Sequence, residues 1–113
     1  MKLSSLSTLA GALVVAFASI TPAHAVDADA AQALAKKNDC FKCHAIDKTK
    51  KGPSLKKIAA KYKGKADAQD KLVKHMNSSP KVKLEDGTEE EHKVIDTKDV
   101  KEQKNLADWI LSQ

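Results

Sequence analysis

The strongest constraint on this sequence is a five-residue run that contains two cysteines followed at once by a histidine. The run is Cys40-Phe41-Lys42-Cys43-His44. Two thiols at this spacing can form thioether bonds to the two vinyl groups of a haem, and the histidine that follows then lies under the iron. The run therefore predicts one covalently attached haem c, with Cys40 and Cys43 as attachment residues and His44 as the proximal iron ligand.

Three other uses of a Cys-x-x-Cys pair fit the chain less well. A thioredoxin-like dithiol follows a strand in a βαβ unit, and no such unit is predicted here. A structural zinc site needs four ligands, and beyond the run only His75 and His92 remain after residue 25, at a spacing that matches no familiar zinc finger. A disulfide across so short a loop would add little stability.

The first 25 residues are predicted to be a secretory signal peptide. A positive start at Lys2 precedes an apolar run over residues 9–20, and Ala23-His24-Ala25 gives the small-x-small pattern of a cleavage site. A membrane anchor is disfavoured because the apolar run is shorter than the ~20 residues that a spanning helix needs. We expect residues 26–113 to form one domain in the periplasm. Export agrees with haem attachment, which takes place outside the cytoplasm.

The spacing of apolar residues predicts an all-α domain with about four short helices. The predicted helices cover residues 28–38, 55–63, 67–76 and about 98–112. Ser54 is expected to cap the second helix and Thr97 the last one. The Ser78-Ser79-Pro80 cluster is expected to end the third.

The segment from residue 78 to residue 96 is long for a connection in so small a domain. Asp86-Gly87 is a hairpin turn signal, and Val94 with Ile95 could form the returning strand. An irregular loop is the alternative. In either case, we expect a segment of this length to leave part of the haem edge exposed.

The charge of the chain is strongly polarised along the sequence. All 20 basic residues are lysines, and residues 36–83 hold 15 of them against four acidic residues. Residues 85–108 hold four lysines against nine acidic residues. The basic part predicts docking to redox partner proteins with acidic surfaces, although a solvated lysine surface without a partner is the alternative. Nucleic-acid binding and stable membrane insertion are not expected, and we expect a monomer.

Several runs of the sequence resemble those of small bacterial class I cytochromes c. These runs are residues 40–47, 51–53, 58–62 and 106–111. The resemblance extends over nearly the whole chain after residue 25 and implies the class I fold, with its helices wrapped around one haem. It implies that the carbonyl of Pro53 accepts a hydrogen bond from the His44 ring. It also implies that Met76 contacts the haem and that Trp109 packs near it, although Trp109 could equally be ordinary core.

The sixth ligand is where this sequence departs from the family it resembles. The family supplies a methionine from a Pro-Met-Pro-like loop before the last helix, and that motif is absent. His92 occupies this stretch and is predicted to bind the iron, which gives bis-histidine coordination. His75, Met76, a lysine or an open position are the alternatives. Histidine in place of methionine predicts a lower reduction potential, because thioether sulfur favours ferrous iron.

These features predict a one-electron shuttle between redox proteins rather than an enzyme. The sequence shows no pairing of a general base with a nucleophile. Two other functions remain open. A labile sixth ligand would suit a haem-based sensor or catalyst for a gas or peroxide, and the lysine-rich surface would also suit a haem subunit of a larger redox complex.

Overall fold

The computed structural model describes residues 11, 12, 14–16 and 25–113, so the predicted signal peptide lies largely outside the described residues. The elements are α1 (Ala28–Lys37), a 3₁₀ turn (Cys40–Lys42), α2 (Leu55–Tyr62), α3 (Ala68–Ser78), β1 (Lys81–Lys83), β2 (Glu89–Glu91) and α4 (Val100–Leu111). The predicted arrangement of four short helices with a small hairpin before the last one is confirmed. None of the described helices combines the length and apolar character that crossing a membrane requires.

The N-terminal ends of the helices follow from short polar side chains. Ser54 accepts a hydrogen bond from the backbone N–H of Lys57 at 3.1 Å, as its predicted role as a cap requires. The predicted cap of α4 is wrong, because Asp99 accepts from the N–H of Lys101 at 2.9 Å and begins the helix. The Thr97 hydroxyl instead accepts from the N–H of Asp99 at 3.2 Å, so it orders the turn that precedes the cap.

Helix α4 is the element on which the other three helices pack. Its inner face carries Leu106 and Ala107, which are almost completely buried. The small side chains of Ala31 and Ala35, one turn apart on α1, are also buried and allow close approach of that helix. Burial of these apolar faces is the main stabilising contribution in so small a domain.

The hairpin turn forms at Asp86-Gly87 as predicted, but the returning strand comes earlier in the chain than expected. Strands β1 and β2 pair antiparallel, so that Lys81 lies opposite Glu91 and Lys83 opposite Glu89. The paired lysines and glutamates carry opposite charges, an arrangement that favours pairing despite the weak strand propensity of both residue types. The prediction of a returning strand at Val94 and Ile95 is therefore wrong. Ile95 is instead buried in the helical core.

Candidate functional site

The Cys40–His44 run is positioned by a tight turn at the end of α1. Asn38 ends the helix, and Asp39 then takes a left-handed backbone conformation with φ 57°. The 3₁₀ turn follows, and the N–H of His44 donates to the carbonyl of Cys40 at 2.9 Å. This turn brings both cysteines and the histidine to one cavity. The two thiols are not joined in a disulfide.

The cavity has a volume of about 910 Å³ and lies between the turn, α2, α3, α4 and the hairpin. This volume is at the upper end of the range of small-molecule and cofactor sites. Much of its wall is aliphatic or aromatic, as a porphyrin requires. All the site residues predicted from the sequence line it: Cys40, Cys43, His44, Pro53, Met76, His92 and Trp109.

The His44 ring is held by the loop that follows it. Its Nδ1 lies 2.7 Å from the carbonyl oxygen of Pro53, to which the protonated nitrogen donates. Gly52 also constrains the ring, because a Cβ at that position would lie 2.8 Å from the His44 Cε1. With Nδ1 engaged, Nε2 is the nitrogen that can bind a metal. Sequence reasoning missed Gly52, for which the only signal is its place before Pro53.

The His92 ring stands on the other side of the cavity, directly after β2. Its Nδ1 lies 2.9 Å from the carbonyl oxygen of Lys93, which again leaves Nε2 available. Burial lowers the pKa of His92 below its ordinary value, the hydrogen bond at the Lys93 carbonyl partly opposes this, and the nearby His44 adds a smaller lowering. The neutral ring is the form that binds a metal.

The two rings are separated by a distance that suits one iron atom between them. The ring centroids of His44 and His92 lie 6.2 Å apart, with an angle of 43° between the ring planes. An imidazole nitrogen lies about 1.1 Å from its ring centroid and binds a metal at about 2.0 Å, so two axial histidines place their centroids about 6 Å apart. The residues present therefore fit a haem iron bound between them.

The other candidate ligands, His75 and Met76, are neighbours near the end of α3. Burial, followed by the nearby rings of His92 and His44, lowers the pKa of His75. The His75 ring packs edge-on against the His92 ring, with centroids 4.4 Å apart. Met76 is buried on α3 in the same core cluster as Leu72.

Trp109 lies on α4 at the inner wall of the cavity and is 5% exposed. Its ring meets that of Phe41 edge to face, with centroids 6.4 Å apart. This contact joins the last helix to Phe41, one of the two residues between the cysteines. It therefore couples α4 directly to the turn that carries Cys40 and Cys43.

An ion-pair cluster connects the cysteine turn with the chain that follows His92. The carboxylate of Asp39 lies 3.3 Å from the Lys42 Nζ and 3.4 Å from the Lys93 Nζ. Hydrogen bonds to these two ammonium groups, that of Lys42 first, hold the pKa of Asp39 below its ordinary value. The cluster is exposed, so solvent weakens it.

Comparison with known proteins places this architecture in one family. The sequence pattern of the family described as "Cytochrome c" matches residues 28–113. The crystal structure of the class 1 cytochrome MtoD from Sideroxydans lithotrophicus ES-1 is 60% identical and superposes with a TM-score of 0.75, over 78% of this chain and 97% of that one. Wild-type cytochrome c552 of Nitrosomonas europaea is 36% identical over 72% of this chain and 96% of that one, with a TM-score of 0.57.

Cytochrome c-551 of Allochromatium vinosum is 44% identical over 59 residues, which are 52% of this chain and 61% of that protein.

A four-helix domain with a Cys-x-x-Cys-His turn at an apolar cavity defines a class of protein, the monohaem electron carriers. Within that class, the chain belongs to the cytochrome c family and has the class I fold. The predictions of the family, of its fold and of one covalent haem c are confirmed.

Proposed function

We propose that this class I cytochrome is an exported one-electron shuttle whose haem iron is bound by His44 and His92. The observation that carries the proposal is the pair of imidazole rings with centroids 6.2 Å apart, each with Nδ1 at a backbone carbonyl. Cys40 and Cys43 would hold the porphyrin by thioether bonds. The haem supplies an iron that alternates between the ferric and ferrous states.

The chain's own groups would tune that iron in three ways. The carbonyls of Pro53 and Lys93 fix the two rings and raise the basicity of the nitrogens that face the iron. Two imidazole ligands favour ferric iron more than one imidazole and one methionine would. The reduction potential of the haem is therefore expected to be lower than that of family members with a methionine ligand. Met76, Trp109 and the aliphatic wall exclude water from the porphyrin face.

The charge around the cavity supports docking to an acidic partner. Six lysines contribute to the lining of the cavity: Lys42, Lys51, Lys57, Lys61, Lys83 and Lys93. Three carboxylates, those of Asp39, Glu90 and Glu91, accompany them, and Asp39 is engaged by two of the lysines. An acidic protein surface would therefore be steered toward the porphyrin, and electron transfer needs only close approach.

The proposed location is the periplasm, with residues 1–25 as the signal peptide and residues 26–113 as the mature monomeric domain. Support comes from the signal-like pattern of residues 2–25 and from the start of the family match at residue 28. N-terminal sequencing of the exported protein tests this division. A mature chain that begins at Val26 is the expected result.

The ligand assignment is tested by absorption and electron paramagnetic resonance spectra of the holoprotein. Wild type is expected to be low-spin in both redox states and unresponsive to carbon monoxide, and His92→Ala is expected to lose that signature. His75→Ala is the matched control, because it removes the neighbouring imidazole and should leave the spectrum low-spin. A band typical of methionine–iron bonding in wild type, or an unchanged spectrum in His92→Ala, would contradict the assignment.

Carbon monoxide binding and purification at high salt separate the two other functions. Binding of carbon monoxide by wild-type ferrous protein would favour a sensor or catalyst with a labile sixth ligand. Purification in a tight complex that survives high salt would favour a haem subunit of a larger assembly. Salt-sensitive, transient binding is the result expected of a shuttle.

A further inference from the structure

The position of His92 immediately after β2 makes it part of the hairpin ladder. Lys81 pairs with Glu91, so the next pair along the ladder is Pro80 with His92. The N–H of His92 donates to the carbonyl of Pro80 at 2.9 Å, which continues the ladder by one bond. The residue proposed as the sixth ligand is therefore fixed by the base of the hairpin.

The ladder lacks the backbone N–H that would normally donate to the His92 carbonyl. Antiparallel ladders alternate between pairs that exchange two hydrogen bonds and pairs that exchange none. The pair of Leu84 with Thr88 is of the bonded type, since the N–H of Leu84 donates to the Thr88 carbonyl at 2.8 Å. Every second pair along the ladder is of this type, so Val82 with Glu90 and then Pro80 with His92 are bonded pairs as well. Proline has no N–H, so it cannot return the second bond.

The hydroxyl of Ser79 takes the place of the missing donor. Its Oγ donates to the carbonyl oxygen of His92 at 2.7 Å. Ser79 is the C-cap of α3 and has a left-handed backbone, with φ 46° and ψ 52°. Glycine and asparagine are the residues favoured in that conformation, so serine stands here at some cost in backbone strain.

We propose that Ser79 is a positioning residue for the sixth ligand. Together with the Pro80 carbonyl, its hydroxyl engages both the N–H and the carbonyl of His92, so the ring stays directed toward His44. Loss of this hydroxyl would leave the base of the hairpin held by a single bond and would let His92 leave the iron more often. This inference rests on the proposed bis-histidine coordination.

The experiment measures cyanide binding to the ferric holoprotein by absorption, because cyanide can enter only when His92 leaves the iron. Ser79→Ala is expected to increase the apparent binding rate about three- to tenfold, the factor that corresponds to one hydrogen bond. Ser78→Ala is the matched control. It removes a neighbouring exposed hydroxyl on the same helix end and should leave the rate unchanged.

Two further variants separate positioning from a general loss of stability. Ser79→Gly suits the left-handed backbone, so it should keep or increase thermal stability while it still accelerates cyanide binding. Pro80→Ala restores an N–H opposite the His92 carbonyl. In that background, Ser79→Ala should change the cyanide rate by less than about twofold, because the ladder then supplies its own donor.

The possible results distinguish the two proposals. Suppose that Ser79→Ala and Ser78→Ala bind cyanide at equal rates, while the wild type is low-spin in a way that depends on His92. This result would overturn the role of Ser79 and leave the ligand assignment standing. The role of Ser79 would also be overturned if Ser79→Ala accelerates cyanide binding as strongly in the Pro80→Ala background as in wild type. A wild type that binds cyanide as fast as His92→Ala would instead overturn the ligand assignment.

Discussion

Gly52→Ala is expected to displace the ring of His44, the residue proposed as the proximal ligand. The added Cβ would lie 2.8 Å from the His44 Cε1 and 3.1 Å from its Nδ1. Ordinary contacts between carbon atoms begin near 3.5 Å, so the ring would have to move by about 0.7 Å. It cannot do so freely, because its Nδ1 is bound to the Pro53 carbonyl and the N–H of Gly52 donates to the Cys43 carbonyl at 2.8 Å.

The expected cost of this substitution is that of overpacking a site that cannot relax. We expect the free energy of unfolding of the holoprotein to fall by about 1–3 kcal/mol. The absorption spectrum should change as well, because in the proposed coordination the displaced ring would bind the iron less well. Denaturant unfolding followed by circular dichroism gives the first quantity, and the visible spectrum in each redox state gives the second.

Gly64→Ala is the matched control for backbone strain. Gly64 has φ +77°, and a Cβ there would meet nothing within 4 Å. It should therefore lose about 1 kcal/mol of stability from the left-handed backbone alone, with an unchanged spectrum. If Gly52→Ala keeps the wild-type spectrum and lies within about 0.5 kcal/mol of wild-type stability, the reasoning from the close contact is refuted.

Three further outcomes are expected. Leu106→Ala, at an almost completely buried position of α4, should cost about 2–5 kcal/mol in denaturant unfolding, and a loss under about 1 kcal/mol would contradict the central place given to that helix. His92→Met should raise the reduction potential in a redox titration, because thioether sulfur favours ferrous iron, and a lowered potential would oppose the ligand assignment. The Asp39 ion pairs should contribute stability above the unfolded pKa of 3.8 and lose it as the pH falls through the lowered folded pKa. Asp39→Asn should remove that part of the pH dependence of the free energy of unfolding. A variant whose stability depends on pH as wild type does would contradict this expectation.

Local sequence signals predicted much of the fold because helices and caps depend on near neighbours. The apolar spacing gave the four helices, and Ser54 was correctly expected to cap α2. At α4 the cap was expected at Thr97, but Asp99, two residues further along the chain, forms it. The nearer residue to the helix formed the cap, while the other ordered the turn.

Features that depend on contacts between distant parts of the chain were less predictable. The returning strand was expected at the apolar pair Val94 and Ile95, but these residues follow the strand, and Ile95 instead joins the helical core. The closeness of Gly52 to His44 is set by the fold of the loop and has no local pattern. The role of His92 in binding iron remains a prediction, which the distance between the two rings supports.

The packing of the first three helices on α4 has a consequence for the order in which the domain assembles. Helix α4 follows the others in the chain, and among the described helices it provides the principal shared contacts. Until α4 has docked, α1, α2 and α3 lack the partner they share, and the α1–α4 contact joins segments about 70 residues apart, so loop closure delays their meeting. The cysteine turn therefore stays accessible in a chain that is still open. An enzyme that attaches haem would meet its substrate before the wall carrying Trp109 closes over it.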